Sequence, residues 1–387
     1  MTRLYLVAGK VTDSVSHGFL PAAARLGLET VLLTDRPADH ARAYGAAAPP
    51  IVECEVTDVR ALVAAIRDPG AIFSNSDHLQ APVALAADYF GLPGKDWRAA
   101  LRTKNKALMR RHLGDGVFAA EVGADPATDP ATDFAAAPYP LVLKPREGVA
   151  SEDVFLVRDA AELARRHREI RTRRADPLLA EAFLPGALHT LETLGDGRTT
   201  RVLGSFRTTI SPPPHFVEER LDWAPPPPET GQVLAALERL GVGFGACHTE
   251  FTVHAGRTTL VEVNYRVIGD HCDLLLADLL GAPLFEHVLR VHLGEPAPDL
   301  GPARGHAVVD YVIADRAGTL AAAPGPLDLA DGGVRLTYRP HRSPGETIAH
   351  TRTNRDYLGT LRALGPDRTA VEAAVARFRA GHSWEIR

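Results

Sequence analysis

The chain has 387 residues, 45% hydrophobic and 24% charged, a composition that excludes a disordered or fibrous protein and suffices for two or three domains with real cores. Acidic residues outnumber basic ones, 48 to 43, and no Lys/Arg block carries interleaved aromatics, so no nucleic acid is expected as a partner. No apolar run approaches the ~20 residues that cross a bilayer, and the first strand lacks the long apolar core of a signal peptide, so no membrane and a cytoplasmic location are expected.

In chain order, Leu4 to Gly9 reads as an apolar strand, Phe19 to Leu26 as a helix and Thr30 to Asp35 as a second strand. The alternation continues through a strand at Pro50 to Cys54, a helix at Val59 to Ile66 and a strand at Ala71 to Ser74. Such units specify a parallel sheet with helices on its faces, here over residues 1–95. Gly9 follows the first strand, but no Gly-x-Gly-x-x-Gly does, so a dinucleotide fingerprint is absent.

A helix from Thr103, carrying Lys104, Lys106, Met109 and Arg110, leads to a strand that ends on Lys144. The small-residue turn Arg146 to Asp153 follows, whose successive N–H groups suit an anion. Next come the strand Val154 to Val157, a helix at Ala160 to Arg174 and the strand Leu178 to Phe183 with its Leu184-Pro185-Gly186 turn. The Arg run in that helix is flanked by acids and reads as a solvated face. Strands at Thr190 to Leu194 and Arg201 to Thr209 precede two proline-rich connections, Ser211 to Phe216 and Pro225 to Pro228, and a helix at Thr230 to Leu240.

His248 to Val253 and Thr259 to Arg266 read as a β-hairpin. Side chains alternate along a strand, so Glu262, Asn264 and Arg266 share a face. Glu250 joins them opposite Glu262 if the loop has an odd number of residues, expected as Ala255 to Arg257, because an even loop sets it opposite Val261. Two carboxylates and an amide oxygen suit a hard cation, and Mg²⁺ is commonly held by one or two carboxylates plus substrate phosphates. Helices at Asp273 to Leu280 and Leu284 to Leu293 follow, and residues 305–387 read as β-rich with a helix around Ala370 to Phe378.

Cys54, Cys247 and Cys272 make an odd count without Cys-x-x-Cys, as expected of reduced thiols. The pairs Cys247-His248 and His271-Cys272 do not suggest zinc, because neighbours on a strand face opposite ways. Only five of the 43 basic residues are Lys: Lys10, Lys95, Lys104, Lys106 and Lys144. A compact ammonium on a slender stem does a different job from a planar guanidinium, so these are candidate phosphate contacts.

A helix Lys, a strand-end Lys, a small-residue turn, an acidic strand running into Leu-Pro-Gly and a Glu…Glu-x-Asn-x-Arg hairpin occur in that order. Over residues 1–300 this resembles the ATP-grasp superfamily of carboxylate-amine ligases, and the C-terminal segment resembles the trailing small domain of dipeptide-forming members. The resemblance implies an α/β fold, α+β in the catalytic part. It also implies domains 1–95, 96–304 (subdomains 96–183 and 184–304) and 305–387.

By the same resemblance, Lys106 and Lys144 contact ATP phosphates, Lys144 also acting in catalysis, and Arg146 to Asp153 cover them with Ser151 a phosphate contact. Glu181, Ala182 and Phe183 read the adenine edge, Glu250, Glu262 and Asn264 hold Mg²⁺ (or Mn²⁺), and Arg266 meets the transferred phosphoryl group or the acyl substrate. His189 stands where the family has its acidic ribose ligand, which passes that role to Glu192. Tyr265 replaces the usual Pro, Asp270-His271 replace a Gly, and the phosphate loop is poor in glycine. Arg207, His215, Glu218, Arg266 and His271 are candidates for the acyl and amine pockets.

The implied activity is ATP-dependent joining of an amino acid or small acid to an amine through an acyl phosphate, releasing ADP, in peptide or specialised-metabolite synthesis. The implied partners are the two small-molecule substrates, with a homodimer allowed. A carboxylase-like or purine-pathway member and a non-catalytic nucleotide-binding module are the alternatives.

Overall fold

The computed structural model describes residues 2–123 and 132–387. The first strands, β1 (Arg3–Val7), β2 (Glu29–Thr34), β3 (Ile51–Glu53) and β4 (Ala71–Phe73), form a parallel sheet of order β3-β2-β1-β4. Leu4 to Val7 are buried on both faces, as in a central strand covered by helices on either side. The first helical segment starts earlier than its apolar periodicity suggests, as a π-helical turn at Ser14–Phe19 that runs into the α-helix Leu20–Arg25.

The helix expected from Thr103 is two helices, Trp97–Lys104 and Lys106–Leu113. Asn105 takes an extended conformation between them and caps the second, its Oδ1 accepting from the Leu108 N–H at 3.0 Å. Asn is among the best N-caps because its side chain satisfies a donor that the helix leaves open. The break puts Lys106 in a first turn, where the helix dipole opposes a cation, so its ammonium needs an anionic partner from elsewhere.

A second sheet, antiparallel, contains β5 (Ala119–Val122), β6 (Leu141–Pro145), β7 (Phe155–Val157) and β8 (Leu178–Ala182) in the order β5-β8-β6-β7. The helix Ala160–Arg171 covers one side of it and buries Leu163 and Ile170 against Leu141, Leu143 and Val157.

The third sheet is the largest. It joins β9 (Ala187–Asp196), β10 (Thr200–Ile210), β11 (Glu218–Ala224), β12 (Phe244–His254) and β13 (Arg257–Asn264) to later strands. β11 pairs directly with β14 (His306–Ile313), Leu221 lying opposite Val309. The sheet thus continues unbroken from the hairpin into the C-terminal segment. Beyond β14, the remaining strands are β15 (Gly318–Ala322), β16 (Leu327–Asp331), β17 (Val334–Pro340), β18 (Thr347–Ile348), β19 (Tyr357–Gly365) and β20 (Glu385–Ile386). Its full order is β13-β12-β9-β10-β11-β14-β19-β17-β16, and β18, β15 and β20 form a small sheet beside it. The last helix, Arg368–Gly381, buries Val371, Ala374 and Phe378 against Leu336, Tyr338 and Leu361.

Candidate active site

The hairpin turn has two residues, Ala255 at φ +49° and Gly256 at φ +74°. Positive φ at both central positions is the primed turn that matches strand twist, and Gly takes it without steric cost. The expected three-residue loop is therefore corrected. An even loop would set Glu250 opposite Val261, yet Glu250 stands opposite Glu262, because the register shifts by one residue between Glu250 and Phe251. Val261 is the extra residue of a β-bulge, which re-aims side chains locally. Val261 and Glu262 consequently both line the cavity, while Leu260 and Val263 on either side are buried in the core.

That cavity, about 200 Å³, lies between the second and third sheets. Its lining is part apolar, with Val142, Leu184, Leu188, Ile210, Phe216 and Val261, and part charged, with Lys106, Lys144, Glu181, Glu218, Glu250 and Glu262. A cavity lined by apolar side chains together with cations and carboxylates is complementary to an aromatic base carrying a metal-bound polyphosphate.

Lys106, 5% exposed, sets its Nζ 2.8 Å from Glu262 Oε1, the partner its place at the helix start demands. Burial acts to strip its charge, but Glu262 outweighs it and the ammonium is held more firmly than usual. Lys144 lies 2.6 Å from Glu181 Oε2, and burial dominates there, lowering its pKa. Arg110 fills the other side of Glu181, with Nε 2.5 Å from Oε1, and also reaches Asp115 at 3.0 Å and the Leu260 carbonyl. Burial favours the neutral acid at Glu181, yet the two cations keep it ionised more firmly than usual.

Two residues before Glu250 on the same strand face, His248 bridges two carboxylates, with Nδ1 2.8 Å from Glu192 and Nε2 3.5 Å from Glu250. Burial works against an imidazolium, but Glu192 and then Glu250 overcome it and push the pKa up to about 10. The resulting cation, with Lys106 and Arg266 nearby, keeps Glu250 below the ordinary carboxylate range despite its burial. Glu218 faces mostly carboxylates; burial, then Glu250 and Asp270, push it up to about 8 against the opposing pull of His248.

The turn after β6 lies closed over the cavity. Ser151 donates its hydroxyl to the Phe216 carbonyl at 2.8 Å, and the Asn354 N–H donates to the Ala150 carbonyl at 3.1 Å. In this conformation, then, the Ser151 hydroxyl is engaged by the proline-rich loop. The N–H groups of Ala182 and Phe183 are also taken, by the carbonyls of Phe118 (2.9 Å) and Pro140 (3.0 Å). Among the described residues the next amide, Leu184, has no partner, and it borders the cavity. The Glu181 carboxylate is engaged as well, between Lys144 and Arg110.

The other expected site residues lie in varied surroundings. Glu192 is turned to His248 and His189 stacks on Phe251 at 5.8 Å, so neither borders the cavity, and the ribose role assigned to Glu192 is not supported. Arg207 is exposed and sits opposite His189 and Asp222, on the face of β10 away from Ile210. His215 stands in a separate cleft, against Phe155 and 3.4 Å from Arg352. His271 pairs with Asp13 at 2.9 Å beside His341, and it too lies outside the cavity lining. Arg266 folds back to donate to the Val267 carbonyl at 2.8 Å. Asn264 is buried opposite His248. Among the described residues no three His, Cys, Asp or Glu side chains form a ready metal cage. Glu250, Glu262 and Asn264 are a donor set that substrate oxygens would have to complete, which suits a cation arriving with a nucleotide.

Arg110 and His248 were not singled out from sequence as site residues, although both carried a signal. Arg110 follows Lys106 by four residues on one helix face, and His248 precedes Glu250 by two on one strand face.

No protein-family model matches the chain. An uncharacterised protein of Sinorhizobium fredii is 27% identical over 417 residues, spanning 99% of this chain and 83% of that protein. Dapdiamide A synthase of Enterobacter agglomerans is 23% identical over 300 residues, 71% of this chain and 70% of that one. The crystal structure of an L-amino acid ligase from Bacillus licheniformis superposes with a TM-score of 0.79 at 19% identity, covering 100% of this chain and 99% of that chain. Phosphoribosylglycinamide synthetase from Anaerococcus prevotii superposes with a TM-score of 0.73 at 13% identity, and the match covers both chains fully.

Proposed function

We propose that this chain, which has the ATP-grasp fold, is an ATP-dependent ligase joining an amino acid or other small carboxylic acid to an amine, with release of ADP and phosphate. The observation that carries the reading is the facing pair Glu250 and Glu262 in a partly apolar cavity that Lys106, paired with Glu262, and Lys144 also line. The names of the relatives above, an L-amino acid ligase and a dapdiamide synthase, support the same reaction class.

The apolar part of the lining takes the adenine, with the free Leu184 N–H as donor to its edge. Lys106 and Lys144 donate to phosphate oxygens, replacing their present carboxylate partners. Glu250, Glu262 and Asn264 would hold Mg²⁺, or Mn²⁺ in its place, which supplies charge neutralisation at the phosphates when bound. Arg266, which lies near Glu250 and donates to the Val267 carbonyl, would swing onto the migrating phosphoryl group. A substrate carboxylate oxygen attacks the γ-phosphorus and ADP leaves. The amine nitrogen then attacks the acyl carbon, loses a proton and expels phosphate. The closed turn at Arg146 to Asp153 keeps water from the acyl phosphate meanwhile. The division into 1–95, 96–304 and 305–387 and a homodimeric assembly belong to the same proposal.

Chromatography of the nucleotide products, with the enzyme given ATP, Mg²⁺ and pooled amino acids, tests it. ADP formed only when acid and amine are both present is expected. AMP with pyrophosphate would overturn the acyl-phosphate route.

A further inference from the structure

The segment Thr351 to Asp356 lies in the C-terminal part of the chain, far in sequence from the cavity, yet it touches both the cover and the floor of the cavity. The Asn354 N–H donates to the Ala150 carbonyl at 3.1 Å, and its side-chain Oδ1 accepts from the Glu218 N–H at 3.1 Å. Arg355 Nε lies 2.5 Å from Glu152 Oε1. Tyr357, at the start of β19, donates its hydroxyl to the Glu218 carbonyl at 2.9 Å. One short stretch of backbone therefore grips the covering turn on one side and fixes both main-chain groups of a cavity residue on the other.

The two partners differ in stiffness. The buried Asp356 carboxylate accepts from the Thr351 N–H (2.9 Å), the Thr351 hydroxyl (2.6 Å) and the Arg352 N–H (2.6 Å). Thr353 caps the turn by accepting from the Arg355 N–H at 3.1 Å. These bonds preorganise the C-terminal side. Arg352 on that side sits at φ +58°, held by its bond to Asp356, while the covering turn holds three such residues, Ala150, Ser151 and Asp153, at φ +58°, +53° and +55°, a region that residues with a Cβ occupy when neighbouring structure holds them there. Its closed shape rests on contacts from outside itself: Phe216 for Ser151, Arg173 and Arg174 for Asp153, and Asn354 and Arg355 for Ala150 and Glu152.

The geometry points to Asn354 and Arg355 as positioning residues of the ligation: the C-terminal segment is the catch on which the phosphate-covering turn closes, and it sets closure and the placement of Glu218 together. The inference rests on the proposed ligase reading only in what closure accomplishes, the exclusion of water from the acyl phosphate. Hydrolysis of that intermediate returns the acid and inorganic phosphate, so a loose catch consumes ATP without forming amide.

Two readouts on the full chain test it. The first needs no activity: trypsin cleavage after Arg146, at the base of the turn, timed by mass spectrometry of the nucleotide-free protein. Losing a half-exposed ion pair should open the turn about two- to fivefold more often and raise cleavage in proportion, in Arg355→Ala and Glu152→Ala alike. The second is the ratio of ADP released to amide formed, which should rise in both variants with the melting temperature unchanged. The charge-reversed pair, Glu152→Arg with Arg355→Glu, should return both readouts toward wild type. Cleavage unchanged in the single variants, or defects that the reversed pair fails to correct, would overturn the catch. If wild-type protein forms no amide, the ligase reading fails instead, and the cleavage series alone decides this one.

Discussion

Glu250 and Glu262 stand directly opposite one another although a two-residue turn joins their strands, because Val261 is an inserted residue that shifts the register between turn and site. The bulge adds a methyl-bearing wall to the apolar lining and puts the second carboxylate beside the first. Lys106, delivered by the helix break at Asn105, neutralises Glu262.

Glu262→Gln should lower turnover about 10²-fold or more, the scale set by removing one transition-state stabiliser, while circular dichroism stays that of the wild type. The amide keeps a hydrogen-bond acceptor for Lys106 but loses the charge that a cation needs. Near wild-type rates at saturating Mg²⁺ would show that Glu262 serves only as the lysine's partner.

Lys144→Arg should raise the Michaelis constant for ATP even though the charge is kept. The Lys144 side chain is buried and shares Glu181 with Arg110, so a planar guanidinium would crowd the one already there. Measuring that constant alongside the melting temperature is decisive: if neither moves, Lys144 is not a nucleotide contact.

Arg110→Ala should destabilise the protein by about 3 kcal/mol, the low end of what breaking a buried pair costs, because Glu181 is left with one cation in place of two. Glu181 would keep Lys144 as its remaining partner, and the Leu260 carbonyl would lose its donor. Urea unfolding measures the change. A loss below ~1 kcal/mol, typical of an exposed pair, would mean that water reaches this cluster freely.

His248 should make stability fall on the alkaline side. Its folded pKa, about 10, lies above the unfolded value near 6.5, so its contribution is complete below about pH 6.5 and is lost as pH rises through 10. Lys95 acts the other way, since burial brings it down to about 7 and its destabilising effect fades as pH climbs toward 10.5. Comparing wild type with His248→Gln by urea unfolding from pH 6.5 to 10 removes the lysine's share. The two should converge as pH rises, and a constant gap would show that His248 is neutral when folded.

The elements and the chemistry they carry are legible along the chain. Alternating apolar strands and helices over the first 95 residues required a parallel sheet, and the period of two placed Glu262 and Asn264 on one strand face. The helix Thr230–Leu240 was legible to the residue, because Gly241 at φ +86° ends it where the apolar periodicity stops. These are local matters, set by backbone sterics and by burial patterns that neighbouring residues share.

The tertiary structure alone decided which charges meet. Nothing within reach along the chain pairs Lys106 with Glu262, 156 residues away, or turns Glu192 from a ribose toward His248. Even the hairpin, the most local part of the site, hid its bulge, since an extra Val in an apolar strand leaves no mark on composition or period. Pairing of buried charges depends on where folded sheets bring distant side chains and on the penalty for leaving one alone in a dry interior, and that penalty exists only after the chain has packed.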